Sequence, residues 1–376
     1  MNRLVLVGQA LACAGLQSRW FGWRTRVRRR LKPAPHNTAL FRAVAVLGIT
    51  VALTAAPAIA QTPQPTKKTK GPAVLRTPWG DPDLQGVWND ATSTPLERPG
   101  GVSSKDVLSD EEAEEFQAKL AGDLSRDRRD GGADADVNRA YNEHWMDSRR
   151  LKITSDRRTS LIVDPPDGRI PARVPLSPER EKARAVRAAA NVRFNAGLPQ
   201  DFSDMTLPVR CVIRTDSPPY LPTIYNNDFQ ILQSPGFVVI APEMIHSARI
   251  IPVDGRPHLG KNLHQWLGDS RGHWEGDMLV VETTNFRSDD GVIFQGANPQ
   301  TFKITERFIR VDANTLNYEF TVEDPATWSK PWTARIPWSK IDPDEQIYEY
   351  ACHEDNYDMV HFLTGARDRE KRGEAK

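Results

Sequence analysis

From Arg210 onward, apolar and polar residues alternate in short runs bounded by Pro, Gly, Asn or Asp, the pattern of half-buried strands. The clearest run sets Leu316, Tyr318, Phe320 and Val322 against Asn317, Glu319, Thr321 and Glu323. It predicts one arm of a hairpin that turns at Ala313-Asn314, with Phe302 to Val311 as the other arm. Phe237-Val238-Val239-Ile240 and Arg249-Ile250-Ile251 read as strands, with Asp254-Gly255 as a hairpin turn. Glu275-Gly276-Asp277 turns His273-Trp274 back into Met278-Leu279-Val280-Val281. Two further strands are expected at Trp332 to Trp338 and Gln346 to Cys352. Five or more consecutive antiparallel strands with short links predict a mainly β fold, an antiparallel up-and-down meander that hides its edges by closing into a barrel.

Helical signals precede the β region. Ser109-Asp110-Glu111-Glu112 is a capping box ahead of a run to about Ala121, and Ser177-Pro178 supplies an N-cap and a first-turn proline before a run to Phe194. The charged, Gly-rich stretch Asp123 to Val137 between them reads as a mobile loop. The expected organisation is one β-rich domain over 76–366, with helical insertions at about 109–194 and a disordered charged tail at 367–376.

Charge changes the reading of the N-terminus. The first sixty residues hold nine Lys or Arg and no Asp or Glu, and an apolar run from Ala43 to Ala55 ends near Ala58-Ile59-Ala60. This is the layout of a secretory signal cleaved before Gln61, and the run is too short for a stable membrane span. A Pro-, Lys- and Thr-rich linker at 61–75 follows. Removing the leader leaves 41 basic residues of the original 50 against 49 acidic ones, a net charge of −8. An acidic exported chain, periplasmic or secreted, argues against a nucleic-acid partner. Its two remaining cysteines, Cys211 and Cys352, are expected to form a disulfide in an oxidising compartment.

Gly86-Val87-Trp88 resembles the Gly-x-Trp that opens the first strand of lipocalins and other calycins, which implies a calycin-like barrel. The segments Tyr225-Asn226-Asn227, Glu243-Met244-Ile245-His246, Trp266-Leu267-Gly268-Asp269, Trp274-Glu275-Gly276-Asp277 and Tyr350-Ala351-Cys352-His353 together resemble a family of exported bacterial proteins. That resemblance covers most of the mature chain. It implies export and brings no activity with it.

Several residues carry candidate chemistry. Gly268-Asp269-Ser270-Arg271-Gly272 has the letters of a nucleophile elbow, but a hairpin follows where the elbow needs a helix, so it reads as a polar turn. A metal site on His246, His258 and His264 is the lesser alternative, because their spacing has no standard ligand geometry. No dinucleotide, phosphate-loop, haem or EF-hand motif occurs, so no cofactor is expected. The acid–base set is stronger. His246 or His353 would transfer the proton, Glu243 would be the carboxylate partner, and Arg249, expected on the same strand face as Glu243, would hold substrate or developing negative charge. Tyr225, Asn226 and Asn227 would orient the substrate, and Trp266 and Trp274 would wall the pocket. Glu306, Glu319, Arg335 and Glu349 are further candidates for an inward row. The expected function is cofactor-free acid–base chemistry, a lyase, isomerase or hydrolase step, on a small, partly apolar or aromatic molecule in a barrel cavity. The alternative is a carrier that binds a hydrophobic small molecule without catalysis.

Overall fold

A computed structural model describes residues 75–100, 105–138, 142–214, 216–245, 247–287 and 294–374. The leader, nearly all of the linker and His246 lie outside the described residues. Ten strands are present: β1 Gly86–Asn89, β2 Ile162–Asp164, β3 Asp228–Ser234, β4 Phe237–Pro242, β5 Arg249–Pro252, β6 Asp269–Glu275, β7 Met278–Thr284, β8 Lys303–Arg310, β9 Thr315–Glu323 and β10 Trp332–Lys340. All pairings between these strands are antiparallel. The sheet runs β5-β4-β3-β1-β10-β9-β8-β7-β6, with β2 on the free part of the β10 edge beside β1. The two ends of this order, β5 and β6, are consecutive in the chain and lie against each other. β2 apart, the strands therefore follow one another around a nearly closed barrel in chain order.

The inward face is set by alternation. Leu316, Tyr318, Phe320 and Val322 on β9 are all fully buried, and across from them Trp332, Ala334, Ile336 and Trp338 on β10 are buried too. Trp88 on β1 and Phe308 on β8 complete an aromatic filling in which Phe229 stacks on Trp338 at 4.5 Å and Tyr318 lies 4.9 Å from the same ring. Burying such side chains stabilises the barrel by roughly 2 kcal/mol each.

Barrel closure depends on one missing side chain. A Cβ at Gly272 in β6 would sit 2.9 Å from Val253 Cγ1 and 3.0 Å from Ile251 Cγ2, so β5 and β6 approach closely because Gly272 leaves room. Gly272→Val is expected to cost about 1 to 3 kcal/mol through overpacking. A thermal melt checks this, and an unchanged midpoint would mean that the seam is not packed.

Helices α1 Asp110–Leu124, α2 Gly132–Asn138, α3 Pro178–Asn195 and α4 Asp358–Lys371 complete the fold. Ser109 and Glu112 form the expected capping box, and the Ser177 hydroxyl accepts from the Arg180 N–H. Several local expectations need correction. Gln346 to Cys352 is not a strand, because the β10 edge that it would need is occupied by β1 and β2. Asp254-Gly255 turns the chain into a long connection to β6 rather than into a hairpin. Part of the stretch read as a mobile loop forms α2. The region expected as a tail carries most of the last two turns of α4, held by Phe362 against Phe194 of α3 at 4.9 Å and by Arg369 donating to the Ala196 carbonyl at 2.7 Å. The disulfide Cys211–Cys352 is present, linking residues 141 apart. Among the described residues no helix is long and apolar enough to cross a membrane.

Candidate active site at the end of the barrel

One end of the barrel opens into a cleft of about 1120 Å³. Its floor is where β1 stops and β3 starts, since Asn89 is paired with Asp228 across that ladder. The 3-10 turn Ser148–Leu151, capped by Asp147, brings Asp147 and Arg149 to the floor. The far wall is the irregular strap between β10 and α4, including Asp342, Asp344, Glu345, Tyr348 and Tyr350. Tyr225, Asn226, Asn227 and Glu243, the chain entering β3 and leaving β4, form the near wall.

The Asn89 amide holds the floor together. Its Nδ2 donates to Asp147 Oδ2 at 2.8 Å and to Asp228 Oδ1 at 2.7 Å, so two carboxylates converge on one nitrogen. Asn227, also buried, donates to Asp147 Oδ2 at 3.3 Å and accepts from the Thr223 N–H at 2.7 Å. Asn226 sits at φ 55°, a left-handed conformation that Asn tolerates and that turns the chain into β3. Arg149 Nε lies 3.2 Å from Asp147 Oδ1, its two terminal nitrogens grip Glu345 at 2.7 and 3.1 Å, and Asp228 is 3.7 Å away.

These surroundings move the carboxyl groups in opposite directions. Asp228 is raised by burial, with the charges of Glu345 and Asp147 adding to it and Asn89 and Arg149 pulling it back. Glu243 is raised by burial and by Asp228, against hydrogen bonds from the Tyr348 backbone and the Asn226 side chain. For Asp147, burial also pushes upward, but hydrogen bonds from Asn89 and the Arg149 backbone, with the Arg149 charge, outweigh it and leave the group below its ordinary value. Behind the floor Asp90 is 1% exposed and neither of its carboxyl oxygens finds a hydrogen-bond partner in another described residue. Burial, then the charges of Asp147 and Asp228, raise it well above the usual range. A floor with one carboxyl held ionised beside others biased toward protonation has the elements of an acid–base pair.

The structure brings together Tyr225, Asn226, Asn227 and Glu243, and it places the other candidates among the described residues elsewhere, His246 lying outside them. Arg249 does not share a strand with Glu243: Glu243 follows β4, whereas Arg249 opens β5 and points into the barrel, where Nη1 lies 2.8 Å from Glu306 Oε2. Of the proposed inward row only Glu306 is inside. Arg335 and Glu319 pair at 2.7 Å on the outer face, because both alternate with buried neighbours, and Glu349 lies on the strap. His353 is exposed in the turns after the strap, outside the cleft lining. Trp266 stacks with Arg287 at 4.6 Å and Trp274 packs against the core, so neither walls the cleft. His258 is held between Asp269 at 2.9 Å and Glu282 at 3.3 Å, while His264 Nδ1 meets the Phe286 carbonyl at 3.2 Å. Among the described residues no three His, Cys, Asp or Glu side chains are grouped to hold a metal ion. Ser270 is buried against Thr283 at 2.9 Å within a strand, so the elbow-like letters carry no nucleophile geometry.

Sequence reasoning missed Asn89, Asp90, Asp147, Arg149, Asp228 and Glu345. The nearest signal was Trp88-Asn89-Asp90, a polar pair at the end of the first strand. Asp228 directly follows the three residues that were singled out. No family model matches the chain, and no curated protein matches it.

Proposed function

We propose that this protein is an exported enzyme that performs acid–base chemistry on a small molecule in the cleft at the barrel end. One observation carries the reading: Asp147 and Asp228 converge on the Asn89 amide in the floor of an open cleft, with their protonation biased in opposite directions. In this reading Asp228 donates a proton to the substrate and the ionised Asp147 stabilises the positive charge that develops. Glu243, on the near wall with its backbone N–H on the Asp228 carbonyl at 2.8 Å, is the second group that exchanges a proton. Asn89 is a positioning residue, and Arg149 fixes Asp147 and Glu345. The carrier alternative calls for a roomy apolar chamber, whereas the barrel interior is filled by Trp88, Trp332, Trp338, Tyr318, Phe308 and Phe320. The disulfide supports export to an oxidising compartment.

The test is product analysis after incubating the protein with a panel of small metabolites, in parallel with Asp228→Asn and Glu243→Gln. Turnover is expected from the native protein, with a loss of about 100-fold or more in Asp228→Asn and a smaller loss in Glu243→Gln, both variants remaining folded. A panel member that binds all three proteins equally and is recovered unchanged overturns the reading in favour of a carrier.

A further inference from the structure

We propose that the cleft selects a positively charged organic ligand, an amine, guanidine or quaternary ammonium on an apolar or aromatic body. The proposal rests on the acid–base reading for its location and goes beyond it in naming the substrate class. The lining holds six carboxyl groups, Asp147, Asp228, Glu243, Asp342, Asp344 and Glu345, and a single guanidinium, Arg149; with Asp228 and Glu243 biased toward protonation, four carboxylates still outnumber it. That guanidinium is already committed to Glu345 and Asp147. Arg214 stands outside the lining and donates to the Tyr225 hydroxyl at 2.7 Å. The surplus charge is negative, and the low-dielectric walls focus it toward the opening.

Two independent features point the same way. The buried Asp90 carboxyl lies behind the floor, close enough to feel the charges of Asp147 and Asp228, and no other described residue donates to its oxygens. The rim also carries aromatic rings turned toward solvent: Trp145 is 62% exposed and Tyr348 72%, with Tyr225 and Tyr350 further along the lining. Carboxylates below and ring faces at the mouth form the environment that binds organic cations. The polar side chains offer few free donors, because the amides of Asn89 and Asn227 are used on Asp147, Asp228 and Thr223. A ligand that brings donors and positive charge therefore suits this floor. An inorganic cation fits less well, since the described carboxylates are not grouped as a metal site.

Calorimetric titration of the full mature chain with benzyltrimethylammonium, benzylamine, benzyl alcohol, benzoate and calcium chloride tests this. The two cations are expected to bind about tenfold or more tightly than benzyl alcohol, benzoate is expected not to bind, and added salt should weaken the cations. Asp344→Asn and Asp342→Asn, on the strap and outside the strands, should each weaken cation binding by about threefold or more with an unchanged melting temperature. Glu112→Gln on α1 should leave it unchanged. Benzyl alcohol binding as tightly as benzylamine, calcium binding more tightly than either cation, or no cation binding at millimolar concentration overturns the proposal. Turnover of a neutral substrate that is lost in Asp228→Asn would sink the charge assignment and keep the acid–base reading. Cations that bind and are never converted would do the reverse.

Discussion

Glu306→Ala is expected to destabilise the protein by about 3 to 5 kcal/mol, the usual cost of leaving one half of a buried ion pair behind. Arg249 and Glu306 are 3% and 0% exposed. The Tyr318 hydroxyl donates to Glu306 Oε1 at 2.9 Å and accepts from the Tyr220 backbone N–H at 3.1 Å, while Arg249 lies over the Tyr220 ring at 5.2 Å. Burial works to discharge the Arg249 guanidinium, and the Glu306 carboxylate with the neighbouring phenols outweighs it and keeps the group charged. Without Glu306 that charge loses the carboxylate with which it is paired inside the barrel. The double variant Arg249→Met with Glu306→Leu removes both charges and should recover most of the lost stability, because desolvation of the pair offsets much of its attraction. Urea denaturation of the three proteins measures both effects. A Glu306→Ala protein within about 1 kcal/mol of the native one would mean that the pair is reached by water.

The second large effect is at the disulfide. Cys352→Ser is expected to cost about 3 to 5 kcal/mol in the chain-entropy account, since the bond closes a loop of 141 residues. The loss should be uneven. Neither cysteine belongs to a strand, so the β7–β8–β9 ladders keep their pairing. The strap, by contrast, has no regular structure of its own. Its other ties include the Arg149–Glu345 pair. Hydrogen exchange should therefore speed up over 342–357 while β7 to β9 stay protected, and the cleft should lose Tyr348 and Tyr350 as a wall. Uniform loss of protection across the barrel would show that the bond supports the whole fold rather than this wall.

The barrel was legible because alternation states it directly. Leu316 to Val322 marks one buried face without ambiguity, and short turns such as Gly276-Asp277 leave adjacent pairing as the simplest topology. Gln346 to Cys352 misled because its Tyr and Ile residues mimic a strand, and strand pattern does not tell whether a free edge exists. α4 was missed because its N-cap Tyr357 makes no side-chain capping bond and its only buried residue is Ala366, which leaves little signal to read. The near wall of the cleft was visible as a polar cluster flanking two strands. The floor was not, because Asp147 reaches Asn89 across 58 residues and Arg149 reaches Glu345 across 196, and no local period encodes such meetings. Arg249 was assigned to the substrate because facing direction depends on where a strand begins, and one residue of register exchanges the inside for the outside.

The most direct test of the acid–base floor is a site-resolved titration of its carboxyl groups by carbon-13 NMR, assigned with Asp228→Asn, Glu243→Gln and Asp147→Asn. Asp228 and Glu243 are expected to titrate above the ordinary values of about 3.9 for aspartate and about 4.3 for glutamate, and Asp147 below. The signs carry over to stability. The raised groups favour the fold below their unfolded pKa values and lose that contribution as pH rises through their folded ones, while Asp147 contributes above its unfolded value and loses that as pH falls. Because Asp147 is ionised while Asp228 still holds its proton, Asp147→Asn should bring Asp228 down toward its ordinary value by removing a neighbouring negative charge. Three groups titrating together at ordinary values, each unmoved by substitution of the others, would contradict the account.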